Sequence, residues 1–342
     1  MITADTIKVE VARDAISSHN PDLFDVGSTK KAKDGSVISF EEMAKGRPLG
    51  LSRLRVFDEK AHFEFSAKIL GSDYYRGITA ETVQAVPDML SRSGDIEVRP
   101  AEFFETAKVF RFDIATNIRP SNLRDAIYAA SLGNLNRKWR YSDYGSNRDD
   151  GFVFDHRSQH RKVRLSGYDK FREMNSRKQV KHAEELRSDL FDGVLRIETQ
   201  LTGYQDMRKY LQIGAVGEHI SLFDALGSSA NPNLSVFDEV IYSVASVADG
   251  KMIEIGKLWN SLEEKGMRQT KEIWFMAYIF DLYDGNWPTI EQFVRYGYAS
   301  NPSREIGKWK RSLATWKLAK QQEDGNALRA IEEVRDLLSA AA

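Results

Sequence analysis

Tyr168, in the stretch RKVRLSGYDKFREM, is a phenol set among cations. Read as a strand, Val163, Leu165 and Phe171 point one way and Arg164, Ser166, Tyr168 and Lys170 the other, because strand side chains alternate with a period of two. A phenol beside basic residues on a polar face suits a nucleophile whose target is anionic. Taken alone, such a tyrosine is far more often a half-buried packing residue. Its role turns on what else reaches that face.

Three more stretches alternate in the same way. In AHFEFSAKIL, Phe63, Phe65 and Ala67 share one side, with His62, Glu64 and Ser66 on the other. In AKVFRFDIAT, Phe112 and Ile114 face inward and Arg111 and Asp113 outward. In GVLRIETQL, Leu195, Ile197 and Leu201 face the core while Arg196, Glu198 and Gln200 do not. A single strand acid is an ordinary solvated residue. Glu64, Asp113 and Glu198 gathered beside Tyr168 would instead suit a hard cation, Mg2+ or Mn2+, able to polarise a phosphoryl oxygen. Tyr168 would then attack phosphorus, with Lys170, Arg164 or Arg196 offsetting charge on the oxygens. The chemistry expected is phosphoryl transfer from DNA to tyrosine.

Other chemistries find less support. No P-loop or dinucleotide glycine fingerprint occurs. His156 and His160 are four apart but lie in an extended region without a Glu-x-x-His partner, which argues against zinc. The His-hydrophobe-His triplet of many tyrosine nickases is absent, so carboxylates would have to replace it.

The formal net charge is -1, yet the cations are clustered. Between Asp155 and His182 stand nine, Arg161 and Lys162 among them, against three acids. Between Arg304 and Lys320 stand six, including Lys308, Lys310 and Arg311, against Glu305 alone. Local basic patches rather than overall pI mark nucleic-acid surfaces, although a solvated helix face can look the same. The stretch NRKWRYSDYGSNRDDG reads as a loop in which Trp139, Tyr141 and Tyr144 interleave with Arg137, Lys138 and Arg140. That mixture suits a single strand, which offers phosphates and stackable bases, although a simple surface loop is the commoner reading of such a stretch.

The elements that must position these residues read as α+β. The 342 residues allow about two domains. Strands alternate with helices over the first 200 or so, predicting a largely antiparallel sheet with helices on one face. Residues 21–35 read as a loop, a helix capped by Thr79 runs over Ala80 to Leu90 with a kink at Pro87, and Ser121 caps a helix ending at Gly133. A charged helix spans Arg172 to Leu190. From about Gly217 helical periods take over, from HISLFDALG to NALRAIEEVRDLLSA, with SSANPNLS (228–235) as the linker. The expected division is a catalytic domain over 1–226 and an all-helical, DNA-binding-like domain over 234–342. Within the latter, 270–317 resembles a helix-turn-helix. No run of about 18 apolar residues and no secretory signal stand out, and cysteine is absent, which fits the cytosol.

Four stretches then carry a family resemblance: FEFSAKILGSDYYRG, VFRFDIATNIRP, HRSQHRKVRLSGYDK and DGVLRIETQL, followed by LFDAL. In this order and spacing, over residues 60 to 225, the chain resembles the gene-two-type rolling-circle replication initiators of filamentous phages. It is more distantly similar to the initiators of Gram-positive rolling-circle plasmids. The resemblance implies a nickase-like fold and a site-specific DNA nickase with strand-transfer activity. Tyr168 would become linked to a 5′ phosphate, freeing a 3′ hydroxyl as primer, and would later rejoin the strand. It implies Asp113 and Glu198 as metal ligands with Glu64 as a third, and Lys170 at the scissile phosphate. The AKILGSDYYRG stretch departs from the family's glycine-histidine-asparagine version, so nothing carries over to Asp73 or Tyr74.

The partners this implies are origin DNA, host helicase and polymerase, and a second copy in a homodimer, in the cytoplasm of a bacterial host. Two other readings stay open: a DNA-binding replication regulator without cleavage activity, and a metal nuclease that activates water.

Overall fold

The computed structural model describes residues 2–31, 37–130, 136, 138–145, 150–176, 182–213 and 219–243, and, nearer the C-terminus, 276, 279–280, 282–283, 285–297, 302–323 and 326–341. Its strands are β1 (Ala4–Ala12), β2 (Ile16–His19), β3 (Phe24–Lys31), β4 (Val37–Met43), β5 (Leu51–Val56), β6 (Lys60–Ser66), β7 (Ile96–Val98), β8 (Lys108–Ile118), β9 (Trp139–Asp143), β10 (Gly151–His156), β11 (Val163–Asp169) and β12 (Leu195–Leu201). Ten of them form one antiparallel sheet in the order β3-β4-β5-β6-β1-β8-β12-β11-β10-β9, with β2 and β7 paired separately. The α+β expectation with a largely antiparallel sheet is met.

Alternation does the sorting. Ile7, Val9, Phe63, Phe65, Phe112, Ile114, Leu165, Ile197 and Leu201 are all buried in one core. Helices cover that face: Phe103 of Pro100–Thr106 packs edge-on against Phe63 at 5.6 Å. Pro232–Phe237 lies on the centre of the sheet, where Asn233 donates to Thr116 Oγ1 at 2.8 Å and to the Ile197 carbonyl at 3.2 Å.

Several boundaries differ from the sequence reading. The Pro21–Gly35 loop contains β3, which pairs with β4 from Phe24↔Met43 to Lys31↔Val37. The basic aromatic loop contains β9, and β10 begins at its end, because cross-strand pairing overrides its polar composition. The linker at 228–235 is the start of a buried helix, capped where Asn231 accepts from the Leu234 amide. The Thr79 hydroxyl does accept from the Thr82 amide, but over a 3-10 turn; the helix proper is Val86–Ser91, with Pro87 in its first turn, where a proline costs nothing. Asn122, not Ser121, caps the helix Leu123–Ala130, while Ser121 donates to Glu333. The charged helix shrinks to Lys170–Met174 and a 3-10 turn at Ser188–Phe191; residues 177–181 between them lie outside the described set.

Toward the C-terminus, Trp287–Gly297 and Pro302–Glu323 build a small core around Trp309, with Phe280 edge-on at 5.7 Å. They overlap the stretch 270–317 where a helix-turn-helix is expected, part of which lies outside the described residues. The last helix, Asn326–Ala340, joins the main core instead through Ile331, Val334 and Leu338. Among the described residues no helix is long and apolar enough to cross a membrane.

Candidate active site

Cross-strand register puts the predicted residues on one face. In antiparallel pairs directly opposed side chains share a side. Tyr168 opposes Arg196, which opposes Asn117; Ser166 opposes Glu198; Arg164 opposes Gln200, which opposes Asp113. Lys8 of β1 opposes both Glu64 and Arg111. The polar face inferred from alternation is thus a property of the fold, on the side away from the helix-covered core.

That face resolves into two clusters. In the first, the Tyr168 hydroxyl donates to Glu198 Oε1 at 2.6 Å. Arg196 Nη1 lies 3.7 Å from the same oxygen, donates to Asp5 Oδ1 at 2.6 Å and to Tyr74 Oη at 3.0 Å, and Arg196 Nε donates to Asn117 at 2.8 Å. Lys170 opens the helix after β11 rather than continuing the strand. Its buried ammonium pairs with Glu173 at 2.7 Å and sits 5.5 Å from the Tyr168 ring centre. Tyr144 stacks flat on Tyr168, with ring centres 4.1 Å apart and planes 7° off parallel. Tyr168 is only 3% exposed as a result.

Burial dominates the electrostatics. It holds the Tyr168 phenol well above its ordinary value, and the neighbouring Glu198 charge adds to this. Burial and Asp5 push the Glu198 carboxyl up to about 7, against the pull of Arg196 and Lys170. Burial works the same way on Asp5, but Arg196, Lys170 and Lys68 outweigh it and keep that carboxyl below its usual range. The resting site therefore holds a neutral phenol bonded to an adjustable carboxylate beside a fixed one.

In the second cluster Arg111 bridges Glu64 Oε1, at 3.1 Å, and Asp113, to which it donates in bidentate fashion from Nε and Nη2. The three predicted ligands thus share a face without forming one donor set. A guanidinium occupies the space between Glu64 and Asp113, while Glu198 is engaged by Tyr168 and Arg196. No group of three metal-ligating side chains occurs among the described residues. As arranged, Glu64, Asp113 and Glu198 do not fit a single Mg2+ or Mn2+ ion.

Asp5 is a site residue that sequence reasoning misses, and Tyr74 one to which it assigns no place beside Tyr168. Asp5 has the same parity as buried Ile7 and Val9 and reads as core. A bulge corrects this: Ala4 pairs with Ile114 but Thr6 with Asp113, which leaves Asp5 as the extra residue and turns it toward Arg196. Tyr74 arrives on the 3-10 segment Ala67–Arg76, whose departure from the family pattern hides it.

The predicted DNA contacts divide. Lys138, Arg140, Lys162 and Arg164 lie at the surface, and Arg164 pairs with Asp155 at 2.7 Å. Arg161 is tied down by Asp206 and Glu239, each at 3.3 Å. Arg196 is buried, and so serves the site rather than a DNA surface. Lys310 and Arg311 are exposed and Lys308 half-buried on Pro302–Glu323, with the Lys310 ammonium 5.2 Å from the Trp287 ring. Arg137 lies outside the described residues. The single-strand platform read from Trp139, Tyr141 and Tyr144 does not form: Trp139 is fully buried, Tyr141 donates to Asp143 and packs on the core, and Tyr144 covers Tyr168.

Comparison with known proteins agrees with the resemblance read from the sequence. Residues 68–214 match the family model described as the N-terminal part of the phage gene-two replication-associated protein. No curated protein matches the chain. Among solved structures, a rolling circle replication initiator protein from Geobacillus stearothermophilus aligns at 12% identity over 59% of this chain and 74% of its own, with a TM-score of 0.28.

Proposed function

From the match of residues 68–214 to the N-terminal part of the gene-two replication-associated proteins, we propose that this chain is a rolling-circle replication initiator that nicks DNA through Tyr168. The observation that carries the reading is the 2.6 Å hydrogen bond from Tyr168 to Glu198 beside the buried cations Arg196 and Lys170. Because burial keeps the phenol protonated, its proton must leave as attack proceeds, and Glu198 is the acceptor already in contact. The Tyr168 Oη–P bond forms, the P–O3′ bond breaks, the phenolic proton passes to Glu198, and the departing 3′ oxygen takes a proton from solvent. The products are a 5′-phosphotyrosine and a 3′-hydroxyl primer; reversal rejoins the strand. Lys170 and Arg196 supply positive charge for the phosphoryl oxygens. Asp5 and Asn117 position Arg196. Tyr144 must leave its stacked position for DNA to reach the phenol.

For Glu64, Asp113 and Glu198 to hold the Mg2+ or Mn2+ expected from the sequence, Arg111 would have to release its two carboxylates, and no step above is routed through a metal. EDTA that abolishes adduct formation while leaving oligonucleotide binding intact supports it; full activity in EDTA removes it. Mass spectrometry after incubation with fragments of the parent replicon tests the chemistry. A nucleotide adduct on the Tyr168 peptide supports the reading. Cleavage without any linkage to protein points to water as the nucleophile, and binding without cleavage to a regulator.

A further inference from the structure

Farther along the same polar face lies a feature that the nicking chemistry does not use. A row of aromatic rings crosses the sheet from β4 to β8: Phe40 to Phe57 at 5.6 Å, Phe57 to His62 at 4.9 Å, His62 to Phe110 at 6.2 Å. Phe110 is 45% exposed and the other three are half-buried, so the row is a surface rather than a core. Alternation would place Phe110 with Phe112 in the interior. The second β1–β8 bulge prevents it: Lys8 pairs with Arg111 and Val9 with Val109, which makes Phe110 the extra residue and turns it outward. Exposing a phenylalanine at a bulge costs burial that a neighbouring core position would have given, and bulges that re-aim side chains are built features.

Cations edge this row. Arg55 lies 4.5 Å over the Phe40 ring and pairs with Glu42. Lys60 and His62 both hold Glu10, at 2.7 and 2.9 Å. Lys108 stands two residues before Phe110, opposite Glu10, and Lys8 stands opposite Arg111 on one side and Glu64 on the other. Phe110 is the ring of the row open to a base, while Arg55 covers Phe40; an exposed aromatic among cations is the composition of a sequence-tolerant single-strand platform. A duplex, whose bases are stacked inside, cannot use the rings. From Phe110, β8 runs seven residues, about 23 Å, to Asn117, the partner of Arg196 in the Tyr168 cluster.

We infer that the Phe40–Phe57–His62–Phe110 row, with Lys8 and Lys108, is a docking platform for single-stranded DNA that leads along the open face of the sheet to Tyr168. The platform rests on the proposed function only for the choice of DNA as the nucleic acid. It supplies the stacking surface that the sequence places in 137–144.

The test is fluorescence polarisation of the full chain with labelled oligo-dT roughly 20 nucleotides long, longer than typical single-strand sites. Phe110→Ala is expected to weaken binding about 5- to 150-fold, the range for loss of one base–aromatic stack. Phe110→Trp restores it, and Lys8→Gln with Lys108→Gln lowers the salt dependence. A duplex of equal length binds more weakly and is insensitive to Phe110→Ala. Native affinity in a combined Phe57→Ala, Phe110→Ala variant whose melting temperature is unchanged overturns the platform, as does equal sensitivity of duplex binding. Tyr168→Phe separates the two readings. Oligo-dT binding that survives in this variant while adduct formation is lost leaves both standing; an adduct that persists overturns the Tyr168 assignment without touching the platform.

Discussion

Tyr168 and Glu198 meet at 2.6 Å although they are not register partners: Tyr168 opposes Arg196, and Glu198 opposes Ser166, one step along the β11–β12 pair. The hydroxyl leans diagonally across the ladder, and Arg196, directly opposite, touches the same carboxylate at 3.7 Å.

Tyr168→Phe is expected to abolish the covalent adduct, read by mass spectrometry on origin-containing single strands. Glu198→Gln keeps the shape but cannot accept the proton, so the rate of adduct formation should fall by about 10²- to 10⁴-fold. Tyr144→Phe retains the stacking ring and should retain the adduct, which distinguishes a cover from a nucleophile.

Arg196→Met leaves the half-buried carboxylates of Asp5 and Glu198 without the buried cation they share. Breaking a buried pair by removing one partner costs about 3–5 kcal/mol, to be read from denaturant unfolding. Asp5→Asn keeps a polar partner for Arg196 and should cost less stability while still slowing the reaction. A larger stability loss for Asp5→Asn than for Arg196→Met would reverse the assignment of the guanidinium as the hub.

The His62–Glu10 contact gives stability a dependence on acid. Burial raises the Glu10 carboxyl, but hydrogen bonds from Lys60 and His62 outweigh it and hold it below its ordinary 4.5. Burial depresses the His62 imidazole below 6.5 against Glu10, with Lys60 and Lys8 adding to the depression. Both groups bind fewer protons folded than unfolded. Their contribution is therefore present above the unfolded values and lost as pH falls through the folded ones. Melting temperature should drop on the acid side, and His62→Gln with Glu10→Gln should flatten that limb; an unchanged limb would assign the acid sensitivity elsewhere.

Asn233 is fully buried in the stretch that reads as a linker. Asn233→Ala leaves the Ile197 carbonyl and the Thr116 hydroxyl without this donor at the centre of the sheet, at a cost of about 1–3 kcal/mol in equilibrium unfolding. A true linker would show no loss.

The strands of the site were legible because period-two alternation is a local property. Phe63/Glu64, Phe112/Asp113, Tyr168 among its cations and Ile197/Glu198 each declare their faces within a few residues. Polar composition misled where the partner lies outside the stretch: β3 and β9 form because the next strand, β4 or β10, pairs with them, and the helix at Pro232 because the centre of the sheet covers it.

Side-chain type and alternation alone mark which residues could do chemistry and place them on one polar face. The register of four strands then converts that alternation into a site. Only the tertiary structure decided which acids meet Tyr168. Glu198 comes with Asp5, while Arg111 keeps Glu64 and Asp113 for itself. Both surprises, Asp5 in the site and Phe110 on the open face, come from single extra residues in the β1–β8 ladder. A bulge reverses the parity of a strand locally. It is set by how two strands far apart in the chain accommodate each other, so alternation within either strand cannot reveal it.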